Sequence, residues 1–222
     1  MLECRVERYP VRWSSFCGGR DKYNLTESDM KNIYVVLYPN FTALDAFGPV
    51  QVFGYIDEYA ISYVSLHGGI VRNAQGIQII TQPMSEIEQG GILLIPGGFG
   101  SREMIKDPVF IQAIREAAQK SEYTLCVCTG SALAAEAGLL DGKQATTNKT
   151  AFAWVADNHI HVKWNREARW VADGNIYTSA GVSAGTDMAL GFVRDRFGTE
   201  FAENICRKME YHWNADPEHD TF

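Results

Sequence analysis

Two hydrophobic patterns take turns along this chain. Short blocks of consecutive apolar β-formers occur at NIYVVLY (32–38), AISYVSL (60–66), ILLIP (92–96) and YTLCVC (123–128). Between them apolar residues return every three to four positions. The first pattern is that of strands buried on both faces, the second that of helices with one buried stripe. Helical spacing carries Val50, Phe53 and Ile56 behind an entry at Thr42 and Asp45, with Pro49 assigned to the first turns. It returns in REMIKDPVFIQAIREAAQK (102–120), where Asp107-Pro108 reads as a helix start with Asp as N-cap and Pro at the first helical position. SALAAEAGLL (131–140) is a small-residue helix closed by Gly138 or by Asp141-Gly142.

The later chain repeats the alternation. AFAWVADNH (151–159) predicts a helix, REARWVADGNIYTS (166–179) a hairpin turning at Asp173-Gly174, and VSAGTDMALGFVRDRFG (182–198) a long helix. TEFAENICRKMEYHWN (199–214) is expected to continue helically, and VRNAQGIQII (71–80) is read as alternating segments. Strands separated by helices of ten or more residues pair in parallel through helical crossovers. The expected fold class is therefore α/β, a three-layer α/β/α sandwich on a mostly parallel central sheet.

Composition narrows the classes. A length of 222 residues suits a single domain, expected over residues 31–222. Residues 1–30, with Pro10, Gly18-Gly19 and no period, are expected to form an arm or disordered tail. A net charge of −7 provides no basic footprint for nucleic acid. No run approaches the roughly 18 apolar residues of a membrane helix, and the first thirty residues lack a secretory core, which predicts a cytoplasmic protein with no membrane partner. Five scattered cysteines then read as free thiols.

The chemistry concentrates where YTLCV meets SALAAEAG. In an open α/β sheet reactive groups collect beyond the carboxyl ends of strands, and Cys128 lies there. A nucleophile on a sharp strand-to-helix turn needs small residues two before and two after it, here Cys126 and Gly130. Amide groups opening the helix would lower the thiol pKa. The plain alternative is an inert buried cysteine, and the turn alone does not separate the two. A Cys126–Cys128 disulfide is a poor reading, because residues one apart in a strand are held too far and point wrongly for good bridge geometry.

Four motifs in order, LYPNFTALDAFGPVQVFG, LLIPGGFGS, CVCTGSALAAEAGLLDGKQATTNKTAF and TSAGVSAGTDMALGFV, spread over residues 32–213, resemble the ThiJ/PfpI superfamily. That superfamily has the class I glutamine-amidotransferase-like, flavodoxin-like fold. An LD-x-x-GP segment paired with a Cys-Thr-Gly elbow is most similar to its isocyanide hydratase branch. The resemblance implies a cofactor-independent enzyme on a small-molecule substrate and a homodimer. It implies that Cys128 attacks the isocyanide carbon while Asp45 hydrogen-bonds the thiolate and moves protons. A carboxyl beside a thiolate should be held protonated by like charge; the alternative for Asp45 is a helix cap. Gly97 and Gly98 match the family's Gly-Gly turn, where the Gly98 N–H would join that of Thr129 in stabilising charge near sulfur. The Thr129 hydroxyl would bond substrate or simply begin the helix. Gly181, Val182 and Ser183 match the pocket wall facing the cysteine.

The departures redirect the reading. Many relatives place His directly after the nucleophile, where this chain has Thr129, and others carry His where it has Asn148. A Cys-His-acid triad is thereby lost, which argues against amidotransferase and peptidase activity and weakens a glyoxalase or deglycase reading. His67 is an alternative base without positional support. A cysteine-based oxidative-stress sensor is the non-enzymatic alternative. His159 and His161 could share one strand face but lack a third ligand, so no metal is proposed. Trp154, Trp164, Trp170, Tyr211 and Trp213 are too dispersed for a binding motif and read as packing residues.

Overall fold

The computed structural model describes residues 30–222, so the expected arm over residues 1–30 lies outside the described residues save Met30. In chain order the elements are β1 (Lys31–Val36), α1 (Ala43–Phe53), β2 (Tyr59–Ser65), β3 (Gly69–Arg72), β4 (Gln78–Pro83), β5 (Ile92–Ile95), α2 (Ser101–Met104), α3 (Pro108–Lys120) and β6 (Tyr123–Val127). There follow α4 (Gly130–Glu136), β7 (Gln144–Ala145), α5 (Phe152–Asn158), β8 (Lys163–Trp164), β9 (Trp170–Asp173), β10 (Ile176–Ser179), α6 (Ala184–Phe197) and α7 (Thr199–Met209).

Eight strands form one sheet in the order β3-β4-β2-β1-β5-β6-β10-β9. From β4 to β10 every pairing is parallel, as the crossover pattern predicts, and only the edge pairs β3–β4 and β9–β10 are antiparallel. The segment read as alternation near residues 71–80 is thus an edge hairpin. β5 and β10 are buried along their whole length, as the uninterrupted apolar character of ILLI requires. α1, α6 and α7 pack together on one face, while α3 and α4 pack together with α2 alongside. The α1–α6 crossing is close because Gly48 has no side chain; a Cβ there would come within 2.4 Å of Thr186 Oγ1. α6 anchors this layer through Phe192, which meets Phe53, Tyr123 and Tyr177 edge-to-face at 5.1–5.9 Å.

Asp107 caps α3 as expected, accepting from the Val109 and Phe110 amides, with Pro108 opening the helix. The hairpin turns at Gly174, and Gly138 in left-handed conformation ends the α4 segment. Three expectations change. Pro49 is the seventh residue of α1, past the first turn, and leaves the Asp45 carbonyl without its i+4 donor. His159 and His161 share no strand: they follow α5, where His159 Nδ1 lies 3.8 Å from Glu136. The last helix stops at Met209, with Glu210 in left-handed conformation, instead of running to residue 214. The reason is tertiary. Asp187 of α6 binds the Tyr211 hydroxyl (3.0 Å) and the Asn214 amide (3.2 Å), and its carbonyl accepts from Trp213 Nε1 (3.1 Å), which peels the chain from the helix axis.

Phe192→Ala removes a fully buried ring from this aromatic cluster and should cost about 3–5 kcal/mol in urea unfolding. Ile80→Ala, at an exposed site on β4, should stay within about 0.5 kcal/mol of wild type.

Candidate active site

The register aligns the carboxyl ends of the middle strands. Ile95 and Thr178 both pair with Cys126, so Gly97, Cys128 and Ala180 leave the sheet side by side, with Gly181 the next residue. Cys128 follows β6 directly and adopts φ 57°, a left-handed conformation that a residue with a Cβ holds only under constraint. The constraints are visible. Its N–H donates to the Ser179 carbonyl (3.2 Å), and its own carbonyl accepts from the Ser131 (2.8 Å) and Thr147 (3.1 Å) hydroxyls. The turn also needs Gly130, where a Cβ would sit 2.1 Å from the Ile95 carbonyl oxygen. Cys126 is fully buried on β6, the small neighbour that the turn requires.

Asp45 does not cap α1. Its side chain is fully buried, Oδ2 accepts the Gly97 amide at 3.0 Å, and the carboxyl faces the Cys128 thiol. Burial pushes its pKa up to about 7, against the Gly97 hydrogen bond and the thiol contact, which both favour the ionised form. The expected direction holds, but desolvation rather than like charge is its cause. For the thiol the direction reverses. Burial, reinforced by the Asp45 charge, pushes Cys128 up to about 12, outweighing the Thr129 N–H and the Asn148 amide, which favour the thiolate. Cys128 is only 5% exposed, so desolvation outweighs whatever the start of α4 contributes. At neutral pH the resting pair is therefore a thiol beside a carboxyl that exchanges its proton readily.

The Thr129 hydroxyl is committed elsewhere than to a substrate. It accepts from the Gly98 N–H (3.0 Å) and is bonded to the Ser101 hydroxyl (3.0 Å), with the Gly98 carbonyl at 3.3 Å. The Gly98 N–H, expected beside the sulfur, is thus used in tying the Gly-Gly turn to the elbow. Gly97 is equally confined, since a Cβ there would meet the Thr129 amide nitrogen at 2.5 Å. Gly181 lies in the turn before α6, its position for a Cβ 3.5 Å from Asn148 Nδ2. Val182 is half-buried and Ser183 exposed. His67 is exposed in the turn after β2, and among the described residues none of the groups acting on Cys128 is a histidine. Among the described residues there is also no group of three potential metal ligands.

A profile of the DJ-1/PfpI family matches residues 31–195. The chain belongs to the DJ-1/PfpI family. Isonitrile hydratase of Pseudomonas putida is 31% identical over 180 residues, 79% of this chain and 76% of that protein. The HTH-type transcriptional regulator CdhR of Pseudomonas aeruginosa is 26% identical over 81% of this chain, which spans 54% of the regulator's length. A crystal structure of a ThiJ/PfpI family protein from Pseudomonas syringae superposes with a TM-score of 0.71 at 28% identity, covering 86% of this chain and 78% of that one. Drosophila melanogaster DJ-1beta, at 19% identity and a TM-score of 0.66, shares the fold. No helix among the described residues is long and apolar enough to cross a membrane.

Two contributors to the site carried little signal in sequence. Asn148 was legible only as a missing histidine, and it is not the N-cap of α5, a place that Ala151 takes. Its Oδ1 accepts from the Ala151 amide at 3.0 Å. Ser179, whose buried hydroxyl has no hydrogen-bond partner among the described residues, is an ordinary strand residue in sequence.

The buried carboxyl makes stability depend on pH. A folded-state pKa raised from 3.8 to about 7 means that the folded protein keeps a proton which the unfolded chain releases. This contribution is fully present below pH 4 and is lost as pH rises through 7. Between pH 5 and pH 8 wild type should therefore lose a few kcal/mol relative to Asp45→Asn, measured by thermal unfolding of both proteins at each pH. Parallel profiles would show that Asp45 ionises normally.

Proposed function

We propose that this protein is a cofactor-independent hydratase that adds water to a small isocyanide, giving an N-substituted formamide. The observation that carries the reading is the pairing of a thiol on a strained elbow with a buried carboxyl of pKa about 7, with no histidine among the described residues acting on the sulfur. The similarity to Pseudomonas putida isonitrile hydratase supports it.

The chemistry needs one group that both accepts and returns a proton, and Asp45 suits this because its pKa lies near the operating pH. Cys128 Sγ forms a bond to the terminal carbon of R–N≡C while the thiol proton passes to Asp45 and on to that carbon. The product of this step is a thioimidate, S–CH=N–R. Water then adds to the C=N bond, its oxygen to carbon and a proton to nitrogen. The C–S bond breaks, the formamide R–NH–CHO leaves, and the hydroxyl proton returns through Asp45 to the sulfur. One water is consumed and no oxidant or reductant is required.

Thr129 positions rather than reacts, locking Gly98 and Ser101 against the elbow. The raised thiol pKa works against the oxidative-sensor alternative, which needs a readily ionised sulfur. The absence of a histidine among the groups acting on the sulfur works against methylglyoxal chemistry, which needs a further base.

Purified protein given para-nitrophenyl isocyanide should release the formamide, followed by chromatography. Cys128→Ala should abolish turnover, and Asp45→Asn should lower kcat by about 10²–10⁴. An inactive wild type would overturn the function, whereas an active Cys128→Ala would overturn only the covalent mechanism.

A further inference from the structure

The segment after α7 lies beyond the residues matched by the family profile, yet hydrogen bonds and ion pairs tie it back onto α6 and the start of β9. Besides its hold on Asp187, the Pro217 carbonyl accepts the Arg169 (2.8 Å) and Trp170 (3.2 Å) amides, and the Asp220 N–H donates to Glu167 (2.7 Å). The Asp220 carboxylate, its side chain 2% exposed, receives Arg169 Nη1 at 2.9 Å and lies 4.0 Å from Lys149 Nζ. Arg169 also bonds Asp187 Oδ2 through Nε (2.8 Å) and Nη2 (2.5 Å). Lys149 in turn donates to the Arg166 carbonyl and, at 2.6 Å, to the Ala168 carbonyl.

This network ends one residue from the site. Asn148 precedes Lys149, and Thr147 before it donates to the Cys128 carbonyl. The Asn148 side chain has one orientation that its hydrogen bonds allow. Oδ1 accepts from the Ala151 amide (3.0 Å) and the Thr150 hydroxyl (2.6 Å), which leaves Nδ2 as the free donor end; it lies beside Gly181, and the Asn148 side chain favours the Cys128 thiolate. An amide has no accessible ionised form, so unlike a histidine it donates at every pH.

We propose that the Asn148 amide is a third catalytic group, donating to Cys128 Sγ as charge develops there, and that the 210–222 segment is a strap positioning it through Asp220 and Lys149. The inference concerns the thiol itself and holds for whichever electrophile it attacks. It also assigns work to a part of the chain in which the motifs indicated none.

Alkylation by iodoacetamide tests this without any isocyanide. The S–C bond forms, iodide leaves, and the thiol proton passes to Asp45. The rate at Cys128 is read by peptide mass spectrometry, separately from the other cysteines. Asn148→Ala should slow alkylation about tenfold, the loss of one charge-assisted hydrogen bond. Asn148→Asp, which sets a second carboxylate against the sulfur, should slow it further. A wild-type rate in Asn148→Ala would overturn the catalytic assignment.

For the strap, Asp220→Asn and Lys149→Gln should each slow Cys128 alkylation about fivefold, with Asp220→Glu restoring it. If both variants lower Tm but alkylate at the wild-type rate, the strap is a structural clamp only and its positioning role is refuted. Should Asp220→Asn fail to fold, Lys149→Gln decides alone.

Discussion

The left-handed backbone at Cys128 is the constraint around which the upper end of the sheet is organised. A residue with a Cβ in this region costs on the order of 1 kcal/mol or more, and the conformation persists because its surroundings overdetermine it. β10 holds the amide, Ser131 and Thr147 hold the carbonyl, and Gly130 lets the backbone pass the end of β5. The same turn aims the sulfur at Asp45, which reaches it from α1 because Gly48 lets α1 settle against α6. Strain at one residue is thus distributed over five elements, and the site inherits their rigidity.

Burial sets the character of the chemistry. A thiol at a helix start in water would ionise readily; this one is nearly enclosed, and its enclosure keeps both it and Asp45 protonated to higher pH. The two polar groups that favour the thiolate, the Thr129 amide and the Asn148 side chain, are neutral dipoles. Ionisation of the sulfur therefore waits on a proton acceptor and an electrophile, which suits addition chemistry better than spontaneous oxidation.

Much of the architecture was legible from pattern. ILLI and YTLCV announced buried parallel strands because each is a short run of β-formers with no charged residue in it, and Asp107-Pro108 announced α3 because its cap is local chemistry. The elbow was legible as Cys126-x-Cys128-x-Gly130. The end of α7 was not, because the pull on Tyr211, Trp213 and Asn214 comes from Asp187, some twenty-five residues earlier in the chain. The destinations of the Thr129 hydroxyl and Gly98 amide were equally hidden: each bonds the other, across two different strand ends.

The sequence by itself determined what repeats locally: the succession of strands and helices, the cap of α3, the hairpin at Gly174, and the nucleophile turn with its obligatory small neighbours. These depend on side-chain periodicity and on φ/ψ preferences within a few residues. Tertiary structure alone decided the protonation of Cys128, the desolvation that raises Asp45, the partners of Asn148, and the return of Asp220 to Arg169 and Lys149. Desolvation and hydrogen-bond partnership depend on which groups meet in space, and these meet from segments separated by tens of residues.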